Sequence, residues 1–130
     1  MSKVIFLTSE QVITIHYDQI ERYGGSHGIA SIPLMESAIM RPQSTFSGKD
    51  LYPSIFDKTA AMVHSIIMNH AFVDGNKRTA TTCGIVFLQL NGYVLEVGHE
   101  KLIENVLKVR HEELNIKQLS AWMQINSRKI

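Results

Sequence analysis

The chain has 130 residues, 45% of them hydrophobic, with 13 Lys and Arg against 12 Asp and Glu. That length fits one domain spanning 1–130, burying roughly two-thirds of its unfolded surface in a single core. The near-zero net charge excludes a broad electrostatic field for nucleic acid or an anionic membrane, so no direct nucleic-acid binding is expected and any basic function must be local. Cys83, the one cysteine, cannot close an internal disulfide and falls in an apolar helical pattern, which suits a small buried thiol in a reducing compartment. No apolar run approaches a membrane span, and the N-terminus lacks a basic region followed by an apolar stretch. The expectation is a soluble, cytoplasmic protein with no membrane partner.

Residues 3–7 form a short β-branched and aromatic run, suited to an edge strand or an extended lead-in. Thr8 followed by Gln11 has the form of a capping box, and Val12, Ile15, His16, Gln19, Ile20 and Tyr23 recur at helical spacing until Gly24 and Gly25, giving a first helix over Ser9–Tyr23. A Gly- and Ser-rich loop follows, and Ser31 before Pro33 starts a short helix over 33–40, which Pro42 ends. The next dozen residues keep no steady period, and Phe46, Ser47, Gly48, Lys49, Asp50 and Leu51 read as a flap or short irregular hairpin around the Ser47-Gly48 turn.

Residues 55–69 form a strong helix whose apolar positions widen toward all-round burial. Residues 77–90 form a second buried helix, closed by Asn91 and Gly92. Gly84 inside it costs about 1 kcal/mol relative to Ala and so marks a close helix crossing. Residues 93–97 can extend and pair with 3–7, and amphipathic helices over 99–109 and 116–125 complete the chain. The expected fold is all-α: a bundle of about six helices with a short flap and room for a minor two-stranded β element.

Residues 70–78 stand apart as a polar loop between two buried helices. The first turn of a helix leaves N–H groups unpaired and carries partial positive charge, so it binds phosphate, and Gly75 lets the backbone approach without a side chain. Lys77 and Arg78 add full charges there, and Arg can grip phosphate oxygens bidentately. Asp74 can serve Mg²⁺, which uses one or two carboxylates together with substrate phosphates and water. His70 can take a proton from an incoming hydroxyl at neutral pH, and Phe72 reads as the apolar anchor of the loop. Singly, a helix-end histidine, an Asp-Gly turn and a solvated Lys-Arg pair are the commoner readings. Their spacing is what points to chemistry. His16, His27, His64, His99 and His111 show no ligand spacing, and none suggests zinc.

With His70, Phe72, Asp74, Gly75, Asn76, Lys77 and Arg78 in these places, the loop resembles the signature of the Fic/Doc superfamily, His-x-Phe-x-(Asp or Glu)-Gly-Asn-(Gly or Lys)-Arg, at every fixed position. Arg22-Tyr23-Gly24-Gly25, Leu34-Met35-Glu36-Ser37-Ala38, Thr79-Ala80 and Leu90-Asn91-Gly92-Tyr93 are similar to its death-on-curing (Doc) branch, so the likeness covers most of the chain. Adenylyl-transferring members have glycine at the place of Lys77 and commonly a second arginine at the place of Thr81; both departures point to Doc.

The resemblance implies the toxin of a toxin–antitoxin module, a kinase moving the γ-phosphate of ATP to a threonine of elongation factor Tu and blocking translation. It implies His70 as base and Asp74 as Mg²⁺ ligand. Gly75, Asn76, Lys77, Arg78 and Thr82 would be nucleotide-binding, and the flap from Phe46 to Leu51 the target-docking edge. Met68 stands where relatives often have arginine, and Thr82 where the phage toxin has asparagine. The chain lacks the Ser/Thr-x-x-x-Glu-(Gly or Asn) pattern of self-inhibited members, which implies restraint by a Phd-like antitoxin whose disordered tail folds on binding. Two other readings stay open: nucleotidyl transfer, such as adenylylation, through the same loop, and a catalytically silent antitoxin-binding regulator.

Overall fold

Four helices begin where the sequence supplies a side-chain oxygen for the orphan N–H groups of a first turn. Thr8 opens α1 (Ser9–Tyr23), Ser31 opens α2 (Ile32–Met40), Ser54 opens α3 (Ile55–Asn69) and Asn115 opens α6 (Ile116–Ile125). In α1, α3 and α6 the third helical residue, Gln11, Asp57 or Gln118, reciprocates as a capping box, a device worth about 1 kcal/mol per cap. By contrast α4 (Asn76–Leu90) and α5 (His99–Arg110) start after Gly75 and Gly98 with no side-chain cap. The structure, a computed structural model, describes residues 3–130.

The expected all-α bundle is what forms. Helix α3 lies at its centre: Ala60, Ala61, Met62, Val63, Ile66 and Ile67 are all at most 2% exposed, and α2, α4 and α6 pack around it. The crossing of α3 and α4 is as tight as Gly84 implies. A Cβ added there would lie 2.8 Å from Val63 Cγ2 and 3.6 Å from Thr59 Cγ2. Cys83, beside it, is fully buried, and burial pushes its thiol up to about 12, so it behaves as a small core hydrophobe. No helix among the described residues is long and apolar enough to cross a membrane.

Two small antiparallel sheets decorate the bundle. β1 (Thr45–Phe46) and β2 (Lys49–Asp50) form the flap as a hairpin whose Ser47 and Gly48 both have positive φ, 52° and 78°, as a two-residue turn matched to strand twist requires. Between α2 and the hairpin, Arg41–Gln43 adds a 3-10 turn. The second sheet corrects an expectation. β3 (Tyr93–Leu95) pairs not with residues 3–7 but with β4 (Ser127–Lys129), Tyr93 opposite Lys129 and Leu95 opposite Ser127. Residues 3–7 have another partner: Ile5 N–H donates to Asn91 Oδ1 and Asn91 Nδ2 donates to Ile5 O, each at 2.9 Å. A single side-chain amide thus occupies the backbone groups that a neighbouring strand would need.

Candidate active site

The loop between α3 and α4 is built on a buried aromatic. Phe72 is 2% exposed, and Asn76 clamps its backbone at both ends: Phe72 N–H donates to Asn76 Oδ1 (3.0 Å) and Asn76 Nδ2 donates to Phe72 O (2.9 Å). A second segment stitches the loop down from outside. Ala30 and Ser31 N–H both donate to Ala71 O, at 2.8 and 3.0 Å, and Val73 N–H donates to Gly28 O at 3.0 Å. The Asn76 side chain is therefore engaged in shaping the loop. Its backbone N–H lies in the first turn of α4, where no intrahelical acceptor exists.

His70 terminates α3 in the left-handed region, φ 50° and ψ 47°, a conformation costing a non-glycine residue about 1 kcal/mol or more. Its side chain is exposed. The backbone bonds at Ala71 and Val73 hold the chain in the reversal that this conformation begins. Met68, two residues before, is half-buried and packs on the core.

Asp74 is exposed, and both its carboxylate oxygens accept backbone hydrogen bonds, Oδ2 from Ser26 N–H (3.1 Å) and Oδ1 from Gly75 N–H (2.9 Å). Those two bonds, led by Ser26, lower its pKa below the usual carboxylate value against the opposing effect of burial, and the Arg78 and His16 charges add lesser help. Asp74 is thus ionised at neutral pH. Gly25 is the neighbour that makes this closeness possible: its φ is +116°, and a Cβ there would lie 2.6 Å from Asp74 Oδ2.

The cations flank the carboxylate differently. Arg78 is half-buried, donates from one terminal nitrogen to Gly24 O (2.8 Å) and lies 5.9 Å from the centre of the Tyr23 ring. Lys77 is exposed. Thr81 Oγ1 donates back to Lys77 O at 2.8 Å. Thr82 and Lys77, with Tyr23, Arg78 and the α5 residues Ile103 and Leu107, line a cleft of about 540 Å³. His70, Asp74, Gly75, Asn76, Lys77 and Arg78 therefore converge on one loop and the first turn that follows it. The flap does not join them by hydrogen bonding: among the described residues, no such bond links Phe46, Ser47, Gly48, Lys49, Asp50 or Leu51 to residues 70–78. The flap residues are exposed, Phe46 at 75%.

One residue read as ordinary from sequence belongs to the site. His16, on the buried stripe of α1, is 4% exposed, lies with Nε2 2.8 Å from Asp74 O, and stacks on Phe72 with ring centres 4.0 Å apart and planes 10° apart. Burial lowers its pKa, against the bond to Asp74 O. Its ligand spacing said nothing. The signal was its position on the helical stripe of Val12, Ile15, Gln19, Ile20 and Tyr23. The other residues missed are Gly24, Gly25 and Ser26, whose backbone wraps Asp74 and Arg78.

The donor set fits Mg²⁺ shared with a nucleotide, not a protein-only metal cage. Among the described residues no three His, Cys, Asp or Glu side chains group to hold an ion, yet one ionised, accessible carboxylate stands beside an uncapped helix N-terminus and two cations.

A model of the Fic/DOC family matches residues 6–88. Toxin Doc of Mycolicibacterium smegmatis (strain ATCC 700084 / mc(2)155) is 45% identical over 73 residues, covering 56% of this chain and 56% of that protein. Protein kinase doc of Escherichia phage P1 is 31% identical over 86 residues, covering 66% of this chain and 68% of the relative. The match to the mycobacterial relative thus spans little more than half of its length.

Proposed function

The chain belongs to the Fic/DOC family, in its Doc branch, and from that footing we propose that it is the toxin of a toxin–antitoxin module, a protein kinase that moves the γ-phosphate of ATP to a threonine hydroxyl of elongation factor Tu and so halts translation. The observation that carries this reading is the ionised Asp74 carboxylate beside an uncapped helix start that also bears Lys77 and Arg78. The phage relative's name, protein kinase, supports it.

In the proposed reaction, His70 accepts the proton of the target hydroxyl while that oxygen bonds to the γ-phosphorus. The bond from the γ-phosphorus to the bridging oxygen breaks, and ADP leaves with the electron pair. Asp74 would hold Mg²⁺, and its place beside the phosphate-binding turn suits an ion bound partly by substrate. When bound, Mg²⁺ supplies positive charge to the phosphate oxygens. The first-turn N–H groups of α4, Lys77 and Arg78 hold phosphate oxygens, and Gly75 keeps their approach clear of a side chain. Thr82 supplies a hydroxyl farther along the same helix. The flap from Phe46 to Leu51 presents the edge on which an extended target segment docks.

The partner that restrains this activity is proposed to be a Phd-like antitoxin whose disordered tail orders on binding. The cleft beside α5, where Ile103 and Leu107 are 45% and 41% exposed, offers it apolar surface. Induced expression in a bacterial host tests the whole reading. The wild-type chain arrests growth, and His70→Ala and Asp74→Ala, both folded, relieve the arrest. Arrest that persists in both variants contradicts an enzyme and favours a catalytically silent regulator.

A further inference from the structure

We propose that His16 is a positioning residue for the Asp74 carboxylate, acting through a single peptide plane. A carbonyl oxygen has no proton, so the 2.8 Å contact between His16 Nε2 and Asp74 O requires the ring to carry its proton on Nε2 and donate it. The same peptide unit that ends in Asp74 O carries the N–H of Gly75, and that N–H donates to Asp74 Oδ1 at 2.9 Å. A peptide bond is planar, so fixing its carbonyl fixes its N–H. His16 therefore aims the Gly75 N–H, and the Gly75 N–H holds one carboxylate oxygen, while Ser26 N–H holds the other at 3.1 Å.

Two further observations make His16 a suitable anchor. It is 4% exposed, so the bond is shielded from competing water. Its ring also stacks on Phe72 at 4.0 Å, so the same imidazole braces the loop's buried foot and its polar crest. The peptide plane it grips immediately precedes Gly75, whose φ of +74° is the left-handed start of α4, so the contact anchors the chain where that helix begins. The role is to hold the metal-side carboxylate and the phosphate-side helix start in one fixed relation.

The inference rests on the proposed nucleotide chemistry only for its consequence, and the test separates the two. His16→Phe keeps the ring stack and removes the donor; His16→Gln restores an N–H donor. In the ligand-free protein the Gly75 amide exchanges with solvent at least tenfold faster in H16F than in wild type or H16Q, with all three melting cooperatively. Binding of a non-hydrolysable ATP analogue is then measured with Mn²⁺ and with EDTA. H16F weakens the Mn²⁺-dependent affinity about tenfold, as outer contacts of metal ligands commonly do, and leaves the metal-free affinity within about twofold, while H16Q recovers most of the loss. Equal Gly75 exchange in wild type and H16F overturns the positioning role, whatever the nucleotide result. Gly75 exchange that does respond, together with a wild type that gains nothing from Mn²⁺, overturns the proposed nucleotide chemistry and leaves His16 its positioning role.

Discussion

The ammonium of Lys58, whose side chain is 4% exposed, lies 3.2 Å from Asp50 Oδ2 and also donates to the carbonyls of Tyr52 and Pro53, so a charge on the central helix holds the base of the flap. Asp50 is 56% exposed and its attraction is screened by water, which leaves the carbonyls as the main compensation for a buried cation. Lys58→Ala strips those carbonyls of their donor and lowers stability by about 2–4 kcal/mol, whereas Asp50→Asn costs under about 1 kcal/mol. Urea unfolding of the two variants checks the order. Faster amide exchange at Leu51, whose N–H donates to Ser44 O at 2.9 Å, in Lys58→Ala shows that the hairpin base has loosened.

Gly84 supports a second expectation, on the packing of the two central helices. Alanine there gains about 1 kcal/mol of helix propensity, but its Cβ meets Val63 Cγ2 at 2.8 Å in a closed core. Overpacking dominates, and Gly84→Ala is destabilising by about 1–3 kcal/mol. In the double variant Gly84→Ala with Val63→Ala the penalty is less than the sum of the single changes, as a double-mutant cycle measures.

Gly25 combines a positive φ with a closed neighbour, the Asp74 carboxylate. Its replacement by Ala strains residues 24–26 and displaces Oδ2 from the Ser26 N–H. Stability falls by about 1–2 kcal/mol, and the Mg²⁺ concentration giving half-maximal transfer rises several-fold. Gly24→Ala is the control: nothing lies within 4 Å of a Cβ there, so it shows the backbone cost without the displaced carboxylate.

Stability depends on pH through His16 and His64. Burial lowers both pKa values. In His16 the bond to Asp74 O and the Asp74 charge oppose it, and the His27 and Arg78 charges add to it; in His64 Arg41 adds and Glu112 opposes. A histidine whose folded pKa is depressed binds fewer protons folded than unfolded below the unfolded value of about 6.5. Its contribution is therefore complete above that pH and is lost as pH falls through the folded value. Unfolding free energy is flat near pH 7.5 and declines from pH 6.5 downward. His64 Nδ1 is buried without a hydrogen-bond partner, so His64→Leu removes part of that decline.

Much of the fold was legible because its signals were local. Thr8 with Gln11, Ser31 before Pro33, and the apolar breadth of residues 55–69 announced helix starts and the central helix within a few positions. The strand partner of β3 was not legible, because Asn91 occupies Ile5 through a contact spanning 86 residues and no local pattern records it. The reactive loop was legible as a cluster, since residues 70–78 are contiguous. Its supports were not: His16 and Ser26 reach Asp74 from 58 and 48 residues away, and Asn76, read from sequence as a phosphate group holder, has its amide engaged by Phe72.

A kinase at this loop moves the γ-phosphate of ATP, and not the α-phosphate, to a protein hydroxyl. The direct measurement incubates the purified chain with a bacterial lysate and Mg²⁺, supplying ATP labelled in parallel at the α or the γ position. The expected result is γ label on a band the size of elongation factor Tu, none from the α position, and loss of the band in His70→Ala and Asp74→Ala. Label arriving from the α position, or γ label that persists in both variants, contradicts it.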